Sequence, residues 1–148
     1  MKKYTIGIDF GTLSGRCLLA DVETGEEIAT SVLEYRHRVM SETLPDGTRL
    51  GVDWHLQHPG DYLDVLRITI RDVIKQAEIR PEQVIGIGID TTGCTILPIK
   101  KDGTPLCFLE RWKGSPNAYV KLWKHHAAQP YADTVSYTHL TLPTKLEV

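Results

Sequence analysis

At 148 residues the chain is long enough for one compact domain with a real core, and its 41% hydrophobic and 24% charged residues are ordinary for a globular protein. A formal net charge of -2 argues against a phosphate-backbone footprint, so nucleic acid is not an expected partner. No run approaches the roughly 20 apolar residues of a membrane span, and Cys17, Cys94 and Cys107 show no C-x-x-C spacing, which suits buried thiols in a reducing cytoplasm.

Lys2 and Lys3 precede an apolar run too short for a signal segment, because Asp9 ends it. YTIGID (4–9) reads instead as a short buried strand. RCLLADVET (16–24) is apolar enough for a central strand with Thr24-Gly25 as a turn, and the β-branched EIATSVLEYRHRV (27–39) predicts a third. Short turns make these three an antiparallel meander. Pro45-Asp46-Gly47 marks a loop or short hairpin. After Pro59, Leu63, Leu66, Ile70, Val73, Ile74 and Ala77 recur at steps of three and four, which predicts a helix over about 59–77 packed on the sheet. Pro59 suits its first turn and Asp61 its positive end.

VIGIGID (84–90) repeats the texture of TIGID, with Thr91, Thr92 and Gly93 as its turn and CTILPI (94–99) as a following strand. Lys101-Asp102-Gly103 signals a hairpin. Ser115-Pro116 caps a second helix through Ala128, closed by Pro130. The order β-β-β-α-β-β-α requires a mixed sheet of five strands. The strand at 84–90 should lie beside and parallel to that at 4–9, the intervening helix supplying the crossover.

The chemistry gathers in the turns after the two acids. A phosphate-binding turn needs unhindered backbone N–H groups, small hydroxyls and a nearby cation. Gly11, Thr12, Leu13 and Ser14 offer the amides and hydroxyls, and Arg16 the cation. Asp9 at the strand end suits a hydrated Mg²⁺, since a carboxylate repels phosphate directly. From the turn alone, a plain β-hairpin with permissive glycines and an exposed acid is the alternative. No G-x-x-x-x-G-K-[ST] occurs, and Gly86-Ile87-Gly88 lacks the final glycine and the following helix of a dinucleotide fingerprint. A metal-hydrolase reading is weak: His125 and His126 would point about 100° apart on a helix, and His55 with His58 lacks a third ligand. The pair at 125–126 reads as a polar helix face.

DFGTLSGR, GIGIDTTGCTILPI and VKLWKHHAAQ, three separated motifs in order, resemble the FGGY carbohydrate kinases, from about Tyr4 to Asp133. The resemblance implies an α/β, ribonuclease-H-like domain of the actin, hexokinase and Hsp70 superfamily, two of which flank a nucleotide cleft. It implies ATP and Mg²⁺ as cofactors and a sugar, most closely a ketopentose, as substrate. Asp9 would face the metal and phosphate, with Gly11, Thr12, Leu13, Ser14 and Arg16 as the phosphate-side loop. Leu13 departs from the hydroxyl residue of some relatives and leaves only its amide. Thr92, Gly93 and Cys94 would line the sugar pocket, and Trp123 and Lys124 would present an aromatic wall and a polar group to the polyol. Core packing is the alternative for Trp123, and Asp90 reads as a structural cap of its turn.

Members of that family are several times longer, so residues 1–133 would be the N-terminal part of the first domain only. The base that takes the sugar hydroxyl's proton would lie beyond position 148, no catalytic residue would lie within the chain, and the remainder of the same enzyme would be its partner. A homo-oligomer of the full-length enzyme is compatible with this. Residues 134–148 contain VSYTHLTLPT, which looks like a translated sequencing adaptor; a genuine Thr-rich strand is the alternative. Two other functions are consistent with the motifs: another kinase of the family acting on xylulose, glycerol or a related polyol, and an actin-like nucleotide-binding module without sugar chemistry.

Overall fold

The computed structural model describes residues 2–139. Strand β1 (Tyr4–Phe10) buries Tyr4, Ile6, Ile8 and Phe10 and exposes Gly7 and Asp9, the period-two alternation of a half-buried strand. It pairs antiparallel with β2 (Ser14–Asp21), which pairs antiparallel with β3 (Glu27–Glu34). Gly25 closes the β2–β3 turn at φ 72°, a left-handed conformation that favours glycine. Between β3 and the helix, β4 (Leu56–Gln57) pairs with β6 (Val120–Lys121) in a small separate sheet.

Helix α1 (Pro59–Gln76) starts on His58, whose Nδ1 accepts from the Gly60 N–H at 3.1 Å. Its buried stripe is Asp61, Val65, Thr69 and Val73, an i, i+4 row. The sequence placed Leu63 on that stripe, yet Leu63 is exposed; Asp61, read as an acid at the helix end, is buried. The stripe packs mainly over β2 and β3. Gly15 admits it: a Cβ there would stand 2.5 Å from a Val65 methyl. Ile6, Ile8, Cys17, Leu19, Val65 and Val73 form the centre of this core.

β5 (Val84–Thr91) runs parallel to β1, giving the order β3-β2-β1-β5. The parallel pair and its helical crossover are those expected. The main sheet has four strands, not five: residues 94–99 join only through isolated bridges from Ile96 to Lys121 and Ile99 to Pro105. Because α1 does not extend over β5, Ile85, Ile87 and Ile89 remain 56%, 58% and 62% exposed. A strand of a parallel pair is ordinarily covered on both faces.

A second cluster packs Met40, Leu44 and Leu56 against Cys107, Ala118 and Tyr119. It explains why the expected helix over 115–128 does not form. Pro116–Ala118 makes a single 3₁₀ turn, Val120 and Lys121 pair with β4, and Lys121 bridges to Ile96, while Tyr119, Val120 and Leu122 are buried. Tertiary pairing overrides the local helix signal there. The second helix is α2 (Gln129–His139), with Pro130 in its first turn, where a missing N–H is harmless, rather than as a terminator. It runs through position 133, the expected limit of the native part; residues 140–148 lie outside the described residues. Cys17 and Cys107 are buried as expected, whereas Cys94 is exposed. Among the described residues no helix is long and apolar enough to cross a membrane.

Candidate functional site

The β1–β2 turn is fixed through its carbonyls. The Gly11 carbonyl accepts from the Tyr35 hydroxyl at 3.0 Å and from Gln57 Nε2 at 3.4 Å, and the Thr12 carbonyl accepts from Gln57 Nε2 at 2.8 Å. The Leu13 carbonyl accepts from the Tyr35 N–H at 2.9 Å, and the Ser14 carbonyl from the Gly11 N–H at 3.0 Å. A trans peptide points its C=O and N–H in opposite directions. With the Gly11 and Thr12 carbonyls turned inward, the N–H groups of Thr12 and Leu13 face away from the protein body. That is the arrangement an anion-binding turn requires.

Asp9 sits at the end of β1 with Arg16 opposite it on β2 and Asp90 in register on β5. Register partners share a face, so the three form a row across the outer side of the sheet. They line an open groove of about 410 Å³ whose floor includes Gly7 and Gly88. Asp90 also accepts from the Thr91 N–H at 2.9 Å, the turn-capping role expected of it. Its place beside Asp9 was not anticipated.

On the opposite face of the same sheet end, Phe10, Tyr62, Thr91, Thr92, Thr95, Leu97 and Val120 enclose a cavity of about 180 Å³. Thr92 donates its N–H to the Phe10 carbonyl at 3.3 Å and shares a 2.8 Å hydrogen bond with the Thr95 hydroxyl. A Cβ on Gly93 would meet no described atom within 4 Å, so packing does not require glycine there. The left-handed residue of the turn is Cys94, at φ 58°. Trp123 and Lys124 lie in the loop after β6, not on a helix. Trp123 is half exposed, and its indole Nε1 donates to the Thr12 hydroxyl at 3.2 Å, which joins one candidate sugar-side residue to the phosphate-side turn. Lys124 is half-buried beside it. The two candidate groups therefore share one end of the sheet, with Asp9 and Arg16 on one face and the Thr92 turn on the other.

His125 is also in that loop; its Nδ1 accepts from the His55 N–H at 3.2 Å, and its ring meets the Trp54 ring edge-on. The expected polar helix face is thus a loop anchor. A histidine cluster that the spacing did not reveal joins His37, His58 and Asp61 within 4.8 Å. Asp61 accepts from His37 Nδ1 at 2.8 Å and from its backbone N–H at 3.1 Å. The His37 and His58 rings stack at 4.1 Å and 24°, so their nitrogens do not aim at a common point. Burial, with the His37 charge adding, pushes the His58 pKa down and keeps it the neutral acceptor at the helix start. The cluster locks the start of α1 to the segment after β3.

The chain belongs to the FGGY family of carbohydrate kinases: the model of that family's N-terminal domain matches residues 4–138. It is 57% identical over 137 residues to ribulokinase of Shouchella clausii, covering 92% of this chain and 24% of the relative. With ribulokinase of Halalkalibacterium halodurans it is 48% identical over 135 residues, covering 90% and 24%. The chain thus spans about a quarter of the length of the curated relatives it matches. Among solved structures, gluconate kinase from Lactobacillus acidophilus superposes at TM-score 0.70 with 17% identity, over 93% of this chain and 23% of that one. Ligand-bound xylulose kinase from the same organism superposes at 0.69 with 17% identity, over 92% and 23%. The sugar-kinase fold, an α/β domain with a mixed sheet and flanking helices, is therefore that of this chain.

Proposed function

We propose that the chain forms the first part of the cleft of a ribulokinase-type enzyme. The full-length protein would transfer the γ-phosphoryl group of ATP to a hydroxyl of L-ribulose, giving L-ribulose 5-phosphate for arabinose breakdown. The observation that carries a sugar kinase, rather than a nucleotide module, is the Trp123–Thr12 hydrogen bond. It places the Trp123 indole beside the turn, an aromatic group for which ATP binding alone has no use. The choice of L-ribulose rests on the ribulokinase relatives at 57% and 48% identity.

In this reading Thr12, Leu13 and Ser14 bind phosphate oxygens and Arg16 adds a cation, while Thr92, Gly93, Cys94, Trp123 and Lys124 shape the sugar side. Asp9 would hold Mg²⁺, and the residues fit it: Asp9 is exposed at a strand end with Asp90 in register, an all-oxygen donor set suited to a hard cation. When bound, the ion neutralises phosphate charge. Transfer needs positioning and charge stabilisation from both sides of the phosphate, and the base and adenosine side belong to the remainder of the enzyme. The test joins residues 1–133, taken as the native part, to the remainder of the Shouchella clausii relative. A coupled ADP-release assay with ATP, Mg²⁺ and L-ribulose should show turnover of about 1–1000 s⁻¹. ADP release independent of sugar would favour the nucleotide module, and none at all would overturn the reading.

A further inference from the structure

Gln57 is 1% exposed, and a buried side-chain amide is costly unless its donors and acceptor are matched. Here they are matched by the turn and by one tyrosine. Nε2 bonds the carbonyls of Gly11 and Thr12, some 45 residues earlier, and Oε1 accepts from the Tyr62 hydroxyl at 2.6 Å. Two carbonyls can only accept, so the nitrogen must face the turn. Burial pushes the Tyr62 pKa up to about 12, which keeps its hydroxyl a donor at neutral pH. The pairing of β4 with β6 runs through the backbone and needs no polar side chain at position 57. Leucine or methionine would fill the same space.

We infer that Gln57 is a positioning residue for the β1–β2 turn: its buried amide, oriented by Tyr62, holds the Gly11 and Thr12 carbonyls inward so that the Thr12 and Leu13 N–H groups stay aimed at a phosphate. This rests on the reading of that turn as the phosphate-side loop. Tyr35 completes the bracket, its hydroxyl donating to the same Gly11 carbonyl at 3.0 Å.

Two readouts test it. In this chain, hydrogen exchange is compared for the parent, Gln57→Leu and Tyr62→Phe; the last keeps the ring and removes only the hydroxyl. The Gly11 and Tyr35 amides, which close the turn, should exchange about ten times faster in Gln57→Leu and to a lesser degree in Tyr62→Phe. The Ile6 and Leu19 amides should not change, and the Trp123 indole N–H resonance should move. Parallel acceleration of all amides in both variants would make Gln57 a packing residue and overturn the inference. In the chimera of the previous section, Gln57→Leu should lower kcat on the order of 100-fold, with KM for L-ribulose within about threefold, as misplacement by an ångström does. An unchanged kcat would also overturn it. If the parent chimera is inactive, the enzyme reading fails, and the exchange pattern alone then decides whether Gln57 positions the turn.

Discussion

Gly15→Ala is a sharp test of how the turn is tied to the core. In the motif Gly15 stands among candidate phosphate-binding residues, yet in the fold it faces α1. An added Cβ would sit 2.5 and 2.7 Å from the two Val65 methyls and 3.1 Å from the Val65 Cβ. Val65 is fully buried and β-branched, so it has one favoured rotamer in a helix and no space into which to turn. The helix must shift instead. Overpacking of this kind costs about 1–3 kcal/mol, and for a domain of this size each kcal/mol lowers Tm by roughly 3–5 °C. Urea and thermal unfolding of the chain, followed by circular dichroism, should therefore show a fall of about 3–15 °C. Val65→Ala alone should cost about 2 kcal/mol through lost burial and a cavity. The double variant should cost less than the sum of the singles by about 1–2 kcal/mol, because removing the methyls makes room for the new one. Strict additivity, or an unchanged Tm for Gly15→Ala, would refute the packing argument.

In the chimera, Asp9→Asn should depress kcat far more than it alters KM for L-ribulose, since the proposed reading has that carboxylate act on phosphate charge, and Trp123→Ala should do the reverse; matching steady-state profiles would mean the division of roles is wrong. The isolated chain should release no sugar-dependent ADP above background, because the proposed reading assigns the base and the adenosine side to the remainder of the enzyme; turnover of about 1 s⁻¹ would show that it carries chemistry assigned elsewhere. Asp21 is held below the ordinary carboxylate pKa, first by the Glu23 N–H, against a smaller opposing effect of burial, then by the Thr24 N–H and Lys2. A depressed folded value stabilises at pH above the unfolded value of about 3.9 and is lost as pH falls through the folded one. Asp21→Asn should therefore lower the urea midpoint at pH 7 and converge on the parent only as the pH falls through the depressed folded value; a gap that persists in acid would assign the effect to shape rather than charge.

Local pattern made much of the fold legible. The alternation of Tyr4, Ile6, Ile8 and Phe10 marked β1, and the crossover through α1 made β5 its parallel neighbour. The helical stripe held at Val73, which is buried, and at Leu66, Ile70 and Ala77, which pack against the core; it missed Asp61, a charged residue buried against His37, a partner that no spacing reveals. Residues 115–128 carried a start signal and a proline stop, but Val120 and Lys121 pair with β4, distant in sequence, and Tyr119, Val120 and Leu122 are buried. The glycines and hydroxyls of the β1–β2 turn could be read directly. The bracket behind them could not: Tyr35, Gln57 and Tyr62 act through side-chain bonds to distant carbonyls, which leave no periodic trace. The resemblance assigned Trp123 to the sugar side, whereas its bond to Thr12 spans 111 positions and required the fold.

The most direct measurement is identification of the phosphorylated product when the chimera is offered ATP with L-ribulose, xylulose and glycerol together at equal concentration. Phosphorus NMR and mass spectrometry of the mixture should find L-ribulose 5-phosphate as the dominant product, and Trp123→Ala should erode that preference. Xylulose or glycerol phosphate as the main product, with L-ribulose untouched, would contradict the assignment of this chain's Thr92, Gly93, Cys94, Trp123 and Lys124 to a ribulose-binding wall.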